Sequence, residues 1–155
     1  MKILFICTHN RCRSILAEAI TNHIGAEKIE ARSAGSSPVG EVHPLSIKYL
    51  SESGISTEGL QSESWDVHES WQPDVVITVC DNAAGETCPV WFGNSLRVHW
   101  GLKDPSSLDG SEEEIRQAFM NTIAIITTRI NALLAQDVEA MDSDSLLVTF
   151  NRLGE

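Results

Sequence analysis

Positive charge is what this sequence has least of. Eleven Lys and Arg stand against 22 Asp and Glu over 155 residues, a formal net charge of −11. Without a basic face to neutralise a phosphate backbone, nucleic acid is excluded as a partner. Long apolar runs are missing as well. The longest, Ile3–Cys7 and Val75–Cys80, fall far short of the roughly 20 residues that a membrane-spanning helix needs. Polar residues follow the short apolar stretch after Lys2, so the N-terminus does not read as a signal peptide. A cytoplasmic protein with no membrane partner, working as a monomer, is expected. Cysteine is scarce: Cys7, Cys12, Cys80 and Cys88 are the four. Their spacing does not match the short pairs of most zinc sites, and a reducing compartment argues against a disulfide-stapled scaffold. A working thiol is the use that remains.

What is present is an ordinary globular balance, 42% hydrophobic and 21% charged, in a length that suits one compact domain. Short apolar runs alternate with helical periodicity. Lys2–Ile6 reads as a buried strand, Ser14–Ile24 as a helix stopped by Gly25, and Ile29–Ser33 as a second strand. Pro44 suits the first turn of a helix running to about Ser53, with Gly54 just beyond it, and Ser64–Trp71 reads as a shorter helix. Asp74–Val79, nearly continuous in Val and Ile, predicts a strand covered on both faces, and Leu96–Trp100 a fourth strand. Ser111 and Glu114 form a capping box. Behind them Ile115, Phe119, Thr122, Ile123, Ile126, Ile130, Leu133 and Leu134 keep a helical stripe to about Gln136, which reads as core. Strand–helix alternation with short connections predicts an α/β domain on a four-stranded parallel sheet, helices on both faces. That domain is expected over residues 1–138, with 139–155 an appended tail packed on it or frayed.

Open parallel sheets bind ligands beyond the carboxyl ends of their strands. There the sequence places Cys7-Thr8-His9-Asn10-Arg11-Cys12-Arg13-Ser14, between the first strand and its helix. A loop entering a helix N-terminus turns backbone N–H groups into an anion nest, wide enough for a tetrahedral oxyanion. Arg13 adds a forked guanidinium. Positive potential around Cys7 favours thiolate, the nucleophilic form. Asn10 suits a left-handed backbone and a bracing side chain, and Ser14 is placed to hydrogen-bond the Cys7 sulfur. The glycines and Lys of a nucleotide P-loop are absent. Asp104-Pro105, past the fourth strand, reads on its own as a turn.

The loop string resembles the active-site loop of the low-molecular-weight protein tyrosine phosphatases and of the arsenate reductases that share their fold, over about Met1–Gln136. The resemblance implies sheet order 2-1-3-4 and an oxyanion held by residues Thr8 to Ser14, with Arg13 gripping it. It also implies Asp104 as general acid. His9 stands where a Gly is usual and Arg11 where a small residue is usual. Ser106-Ser107 follow Asp104-Pro105 where tyrosine-specific members carry aromatics.

Cys80 ends the third strand, on the sheet edge of Cys7, and Cys88 lies across a polar loop. Packing alone accounts for either thiol. A phosphatase needs no second thiol, whereas reduction of arsenate held on Cys7 requires a thiolate to attack that sulfur, first Cys80 and then Cys88. The Val79–Pro89 segment is similar to the redox loop of three-cysteine arsenate reductases, with spacing one residue longer than usual. Thioredoxin or glutaredoxin is the implied reductant, and an arsenate or phosphate-like oxyanion the substrate. Cys12 reads as a bystander. No cofactor is required, although in thioredoxin-linked relatives a potassium ion steadies the loop. The matching positions here are Asn10, Glu18, Ser33 and Glu63, the last a departure, and Glu18 alone reads as solvated. His43 reads as a helix cap, His68 and His99 as structural, and Trp91 and Phe92 as a cover over the relay.

Overall fold

The computed structural model describes residues 1–25, 27–80 and 95–155. Four strands, β1 (Lys2–Ile6), β2 (Glu30–Ala34), β3 (Val75–Thr78) and β4 (Leu96–His99), pair in parallel in the order 2-1-3-4. β1 is the hydrophobic centre. Its residues Ile3 to Ile6 are buried, with Ile3 facing Ala31 on one side and Val75 on the other. Among the described residues four α-helices flank the sheet: α1 (Arg13–Gly25), α2 (Pro44–Glu52), α3 (Glu112–Leu134) and α4 (Ser143–Leu153).

The helix ends obey local chemistry. The His43 Nδ1 accepts the Leu45 N–H at 3.1 Å ahead of Pro44, and Gly54 beyond α2 takes φ 76°. The Ser111 Oγ accepts the Glu114 N–H. The apolar stripe of α3 buries Phe119, Thr122, Ile123, Ile126, Ile130 and Leu133. Asn22 of α1 bonds both the N–H and the C=O of Ala31, fastening edge strand β2 to its helix.

Two expectations shift. The Ser64–Trp71 segment forms a 3-10 helix over Trp65–Trp71, capped by Ser64, rather than an α-helix. β2 begins and ends one residue later than its apolar pattern suggests, because Glu30 pairs with Lys2 and its carboxylate accepts the Trp71 Nε1–H. Residues 143–153 are an ordered helix on β4 and α3, anchored by the fully buried Phe150. Among the described residues no helix is long and apolar enough to cross a membrane.

The topology creates a switch point in the sheet. From β1 the chain crosses to β2 on one side, whereas β3 leads to β4 on the other. A crevice therefore opens beyond the carboxyl ends of the adjacent β1 and β3. Cys7 follows β1 there, and Cys80 follows β3.

Candidate active site

Three carbonyls of the loop from Cys7 to Arg13 are tied to the surrounding chain. The Thr8 carbonyl accepts the Ser37 N–H, that of His9 accepts from the Val39 N–H and Ser62 Oγ, and that of Arg11 accepts from the His43 N–H and Ser46 Oγ. With these carbonyls engaged outside the loop, its N–H groups are left for the interior, as an anion nest requires. Gly35 makes this possible. A Cβ there would lie 2.5 Å from the Thr8 carbonyl oxygen and 2.9 Å from that of Cys7.

Asn10 adopts φ 48° and is fully buried. Its Nδ2 donates to Ser14 Oγ at 2.8 Å and Ser33 Oγ at 3.0 Å, and its Oδ1 accepts the Glu63 N–H at 2.8 Å. Ser14 Oγ lies 2.9 Å from Cys7 Sγ. Asn10 Nδ2 donates to that hydroxyl, so Ser14 Oγ is braced beside the sulfur with its own hydrogen free to turn toward it.

A cavity of about 240 Å³ opens above the sulfur, lined by Cys7, Thr8, His9, Arg11, Cys12, Arg13, Cys80, Asp104 and Ser106. Arg13 Nη1 donates to the Leu102 carbonyl at 3.1 Å, and its Nη2 lies 3.7 Å from Asp104 Oδ2. Asp104 also caps the 3-10 turn Pro105–Ser107, its Oδ1 accepting from the N–H and Oγ of Ser106 at 2.9 and 2.6 Å. The turn and the poised carboxyl are thus one arrangement. Cys80, 3% exposed, sits in the same cavity with its Sγ 3.8 Å from Thr8 Oγ1. Burial pushes the Cys12 thiol up to about 12, so it stays protonated, and the nearby charges of Asp104 and Cys7 push the same way. Cys88, Trp91 and Phe92 lie outside the described residues. Asn10 and Ser14 do not line the cavity; their side chains act from behind the loop.

The reading of Glu18 as solvated is corrected. Its carboxylate accepts a hydrogen bond from Ser33 Oγ, and burial, aided by the Glu63 charge, pushes it up to about 7 against the lowering effect of that bond. Glu18, Arg32, Ser33, Gly59, Gln61, Glu63 and His68 line a second cavity of about 250 Å³. His68 Nε2 approaches Glu63 Oε2 at 3.2 Å, and burial lowers the imidazole below its ordinary value despite that carboxylate. The oxygens of Glu18, Ser33 and Glu63 are of the hard type that an alkali cation takes. Asn10 is not part of that lining, because its Oδ1 is committed to the Glu63 amide.

Sequence reasoning missed three supports: Gly35, the Leu102 carbonyl that aims Arg13, and His68 beside Glu63. Only Gly35 carried a signal, a glycine directly after a strand on the edge of Cys7.

Fold and loop together define a class: a parallel α/β enzyme with a buried cysteine opening the loop between β1 and α1, at the sheet's switch point. More narrowly, the low molecular weight phosphotyrosine protein phosphatase family model matches residues 2–144, and the chain belongs to that family. It is 37% identical over 112 residues to an arsenate reductase of Halalkalibacterium halodurans, covering 72% of this chain and 79% of that one. A solved arsenate reductase in the phosphate binding state superposes with a TM-score of 0.68 at 30% identity, over 86% of this chain and 96% of that one. The thioredoxin-dependent arsenate reductase of Corynebacterium glutamicum gives a TM-score of 0.62 at 30% identity, over 87% of this chain and 63% of the other.

Proposed function

We propose that this chain reduces arsenate to arsenite in the cytoplasm, with Cys7 as nucleophile and Cys80 and Cys88 as a thiol relay. The observation that carries the reading is Cys80 in the cavity of Cys7. A phosphatase has no use for that thiol, and the relatives named arsenate reductase agree with its presence. The loop amides and Arg13 hold the oxyanion, as its charge requires. The Cys7 thiolate attacks arsenic(V), and one oxygen departs as water after Asp104 supplies a proton. The Cys80 thiolate then attacks Cys7 Sγ. The S–As bond breaks with its electron pair passing to arsenic, which leaves as arsenite, arsenic(III), and a Cys7–Cys80 disulfide forms. Attack of Cys88 on Cys80 frees Cys7 and leaves a Cys80–Cys88 disulfide for an external dithiol of the thioredoxin type. The thioredoxin-dependent neighbour from Corynebacterium glutamicum supports that choice over glutaredoxin. An alkali cation, when bound, would be held by Glu18, Ser33 and Glu63 and would neutralise their charge behind Asn10.

Replacing Cys80 with Ser is the test. Arsenate reduction disappears while slow hydrolysis of an aryl phosphate, which needs only Cys7, Arg13 and Asp104, persists. Unimpaired reduction in Cys80→Ser ends the relay reading.

A further inference from the structure

The family match ends at residue 144, just inside α4, yet this last helix is tied to the site. Phe150 stacks on Trp100 with ring centroids 5.9 Å apart, and its carbonyl accepts the Trp100 Nε1–H at 2.8 Å. From α3, Arg129 sets its guanidinium 5.9 Å from the same ring and donates to the Gly154 carbonyl at 3.3 Å. A Cβ on Gly154 would lie 2.4 Å from Trp100 Cδ1, so the helix end closes directly on the indole. Phe5 of β1 meets the ring from within the sheet at 6.4 Å. Trp100 is thereby enclosed by β1, α3 and α4.

Trp100 also begins the segment that serves the cavity. Its N–H donates to the Thr78 carbonyl at 2.8 Å and that of Leu102 to the Val79 carbonyl at 3.0 Å, extending the β3–β4 pairing past His99. The Leu102 carbonyl then takes Arg13 Nη1, and Asp104 follows two residues on. We propose that α4 is a positioning element of the oxyanion site, with Trp100 and Phe150 the positioning residues that fix segment 100–104 and so aim Arg13 and Asp104 over Cys7. Side chains held by packing from behind keep a site within the narrow tolerance that oriented chemistry demands.

The inference rests on the arsenate reading only for its turnover measurement; the oxyanion grip is measured without it. Full-length wild type, Trp100→Phe, Phe150→Ala and Val148→Ala, the last on an exposed position of α4, are compared well below their thermal midpoints. The probe is inorganic phosphate, titrated for protection of Cys7 against iodoacetamide. Trp100→Phe and Phe150→Ala should each need about tenfold more phosphate for half-protection, the size of one weakened charge-assisted contact. Their alkylation without phosphate should match wild type, since Ser14 and Asn10 are untouched, and Val148→Ala should behave as wild type throughout. Arsenate turnover should fall in step with the loss of grip. A helix that only adds stability lowers the midpoint and leaves half-protection unchanged, and that result overturns the proposal. Should Phe150→Ala not fold, Trp100→Phe, which keeps an aromatic ring and removes one donor, decides alone by the same criterion. If wild type binds phosphate but reduces no arsenate, the reductase reading falls, and α4 is still judged on protection.

Discussion

Asn10 is the residue on which the loop geometry turns, and its replacement separates two physical contributions. Asn10→Gly keeps the φ of 48° at no steric cost but deletes hydrogen bonds to Ser14, Ser33 and the Glu63 amide. At about 1 kcal/mol net for each of the three, the loss comes to about 3 kcal/mol. Ser14 retains Cys7 and Ser33 retains Glu18, so the buried Glu63 N–H suffers most. Asn10→Ala loses the same bonds and also forces an L side chain into the left-handed region, which adds about 1 kcal/mol. For a domain stable by 5–15 kcal/mol such losses are large, worth about 10 °C in thermal midpoint at this chain length. Urea unfolding of both variants at constant slope gives the two numbers. Turnover should fall as well, since the Ser14 hydroxyl beside Cys7 Sγ then loses the Asn10 bond that braces it. An Asn10→Ala protein destabilised by less than about 1 kcal/mol would refute the brace, and one more stable than Asn10→Gly would refute the left-handed cost.

Other expectations follow from the same geometry. Gly35→Ala must displace the backbone of Thr8 and Cys7; a cost of about 2–3 kcal/mol and loss of phosphate protection of Cys7 are expected, and a crystal structure with an unmoved loop would contradict this. Glu18, raised from 4.5 to about 7 by burial, binds its proton more tightly folded than unfolded. Stability therefore falls as pH rises from 4.5 to 7, and the penalty is fully present above 7. Glu18→Gln should accordingly stabilise at pH 8 by up to about 3 kcal/mol, and not at pH 4, in urea unfolding with tetramethylammonium as the only cation; a gain that is flat with pH would show that burial of the carboxyl is not felt. Cys12→Ala should leave arsenate turnover intact while costing about 1 kcal/mol of packing, because a thiol held near 12 takes no part in exchange; a dead enzyme would mean that Cys12 is used.

How much was legible in the sequence depended on the range of the interaction. The strand Lys2–Ile6 was read to the residue because it is apolar on both faces, and the α2 start because Pro44 and His43 are local signals. The placement of Cys7, Asn10, Arg13 and Ser14 together was readable because one short loop carries all four, so spacing in sequence and nearness in space coincide. Glu18 was misread for the opposite reason. The helical face it occupies looks solvated until β2 brings Ser33 and the turn before Trp65 brings Glu63 against it. The Leu102 carbonyl was invisible because a main-chain acceptor leaves no mark on residue identity. Trp65–Trp71 lost its α-helical form since seven residues are too few to outlast the aromatic anchoring at each end.

The C-terminal segment makes the same point about function. Its apolar run Leu146–Phe150 left packing and fraying both open, and among the described residues it covers β4, which pairs only with β3 at the edge of the sheet. An edge strand carrying a catalytic segment is a poor anchor, because one side lacks a ladder to fix its register. The chain covers that weakness with a helix whose buried Phe150 and carbonyl hold the first residue past the strand, Trp100. Rigidity is thereby delivered where Arg13 and Asp104 need it, at a strand end that the sheet alone leaves half supported.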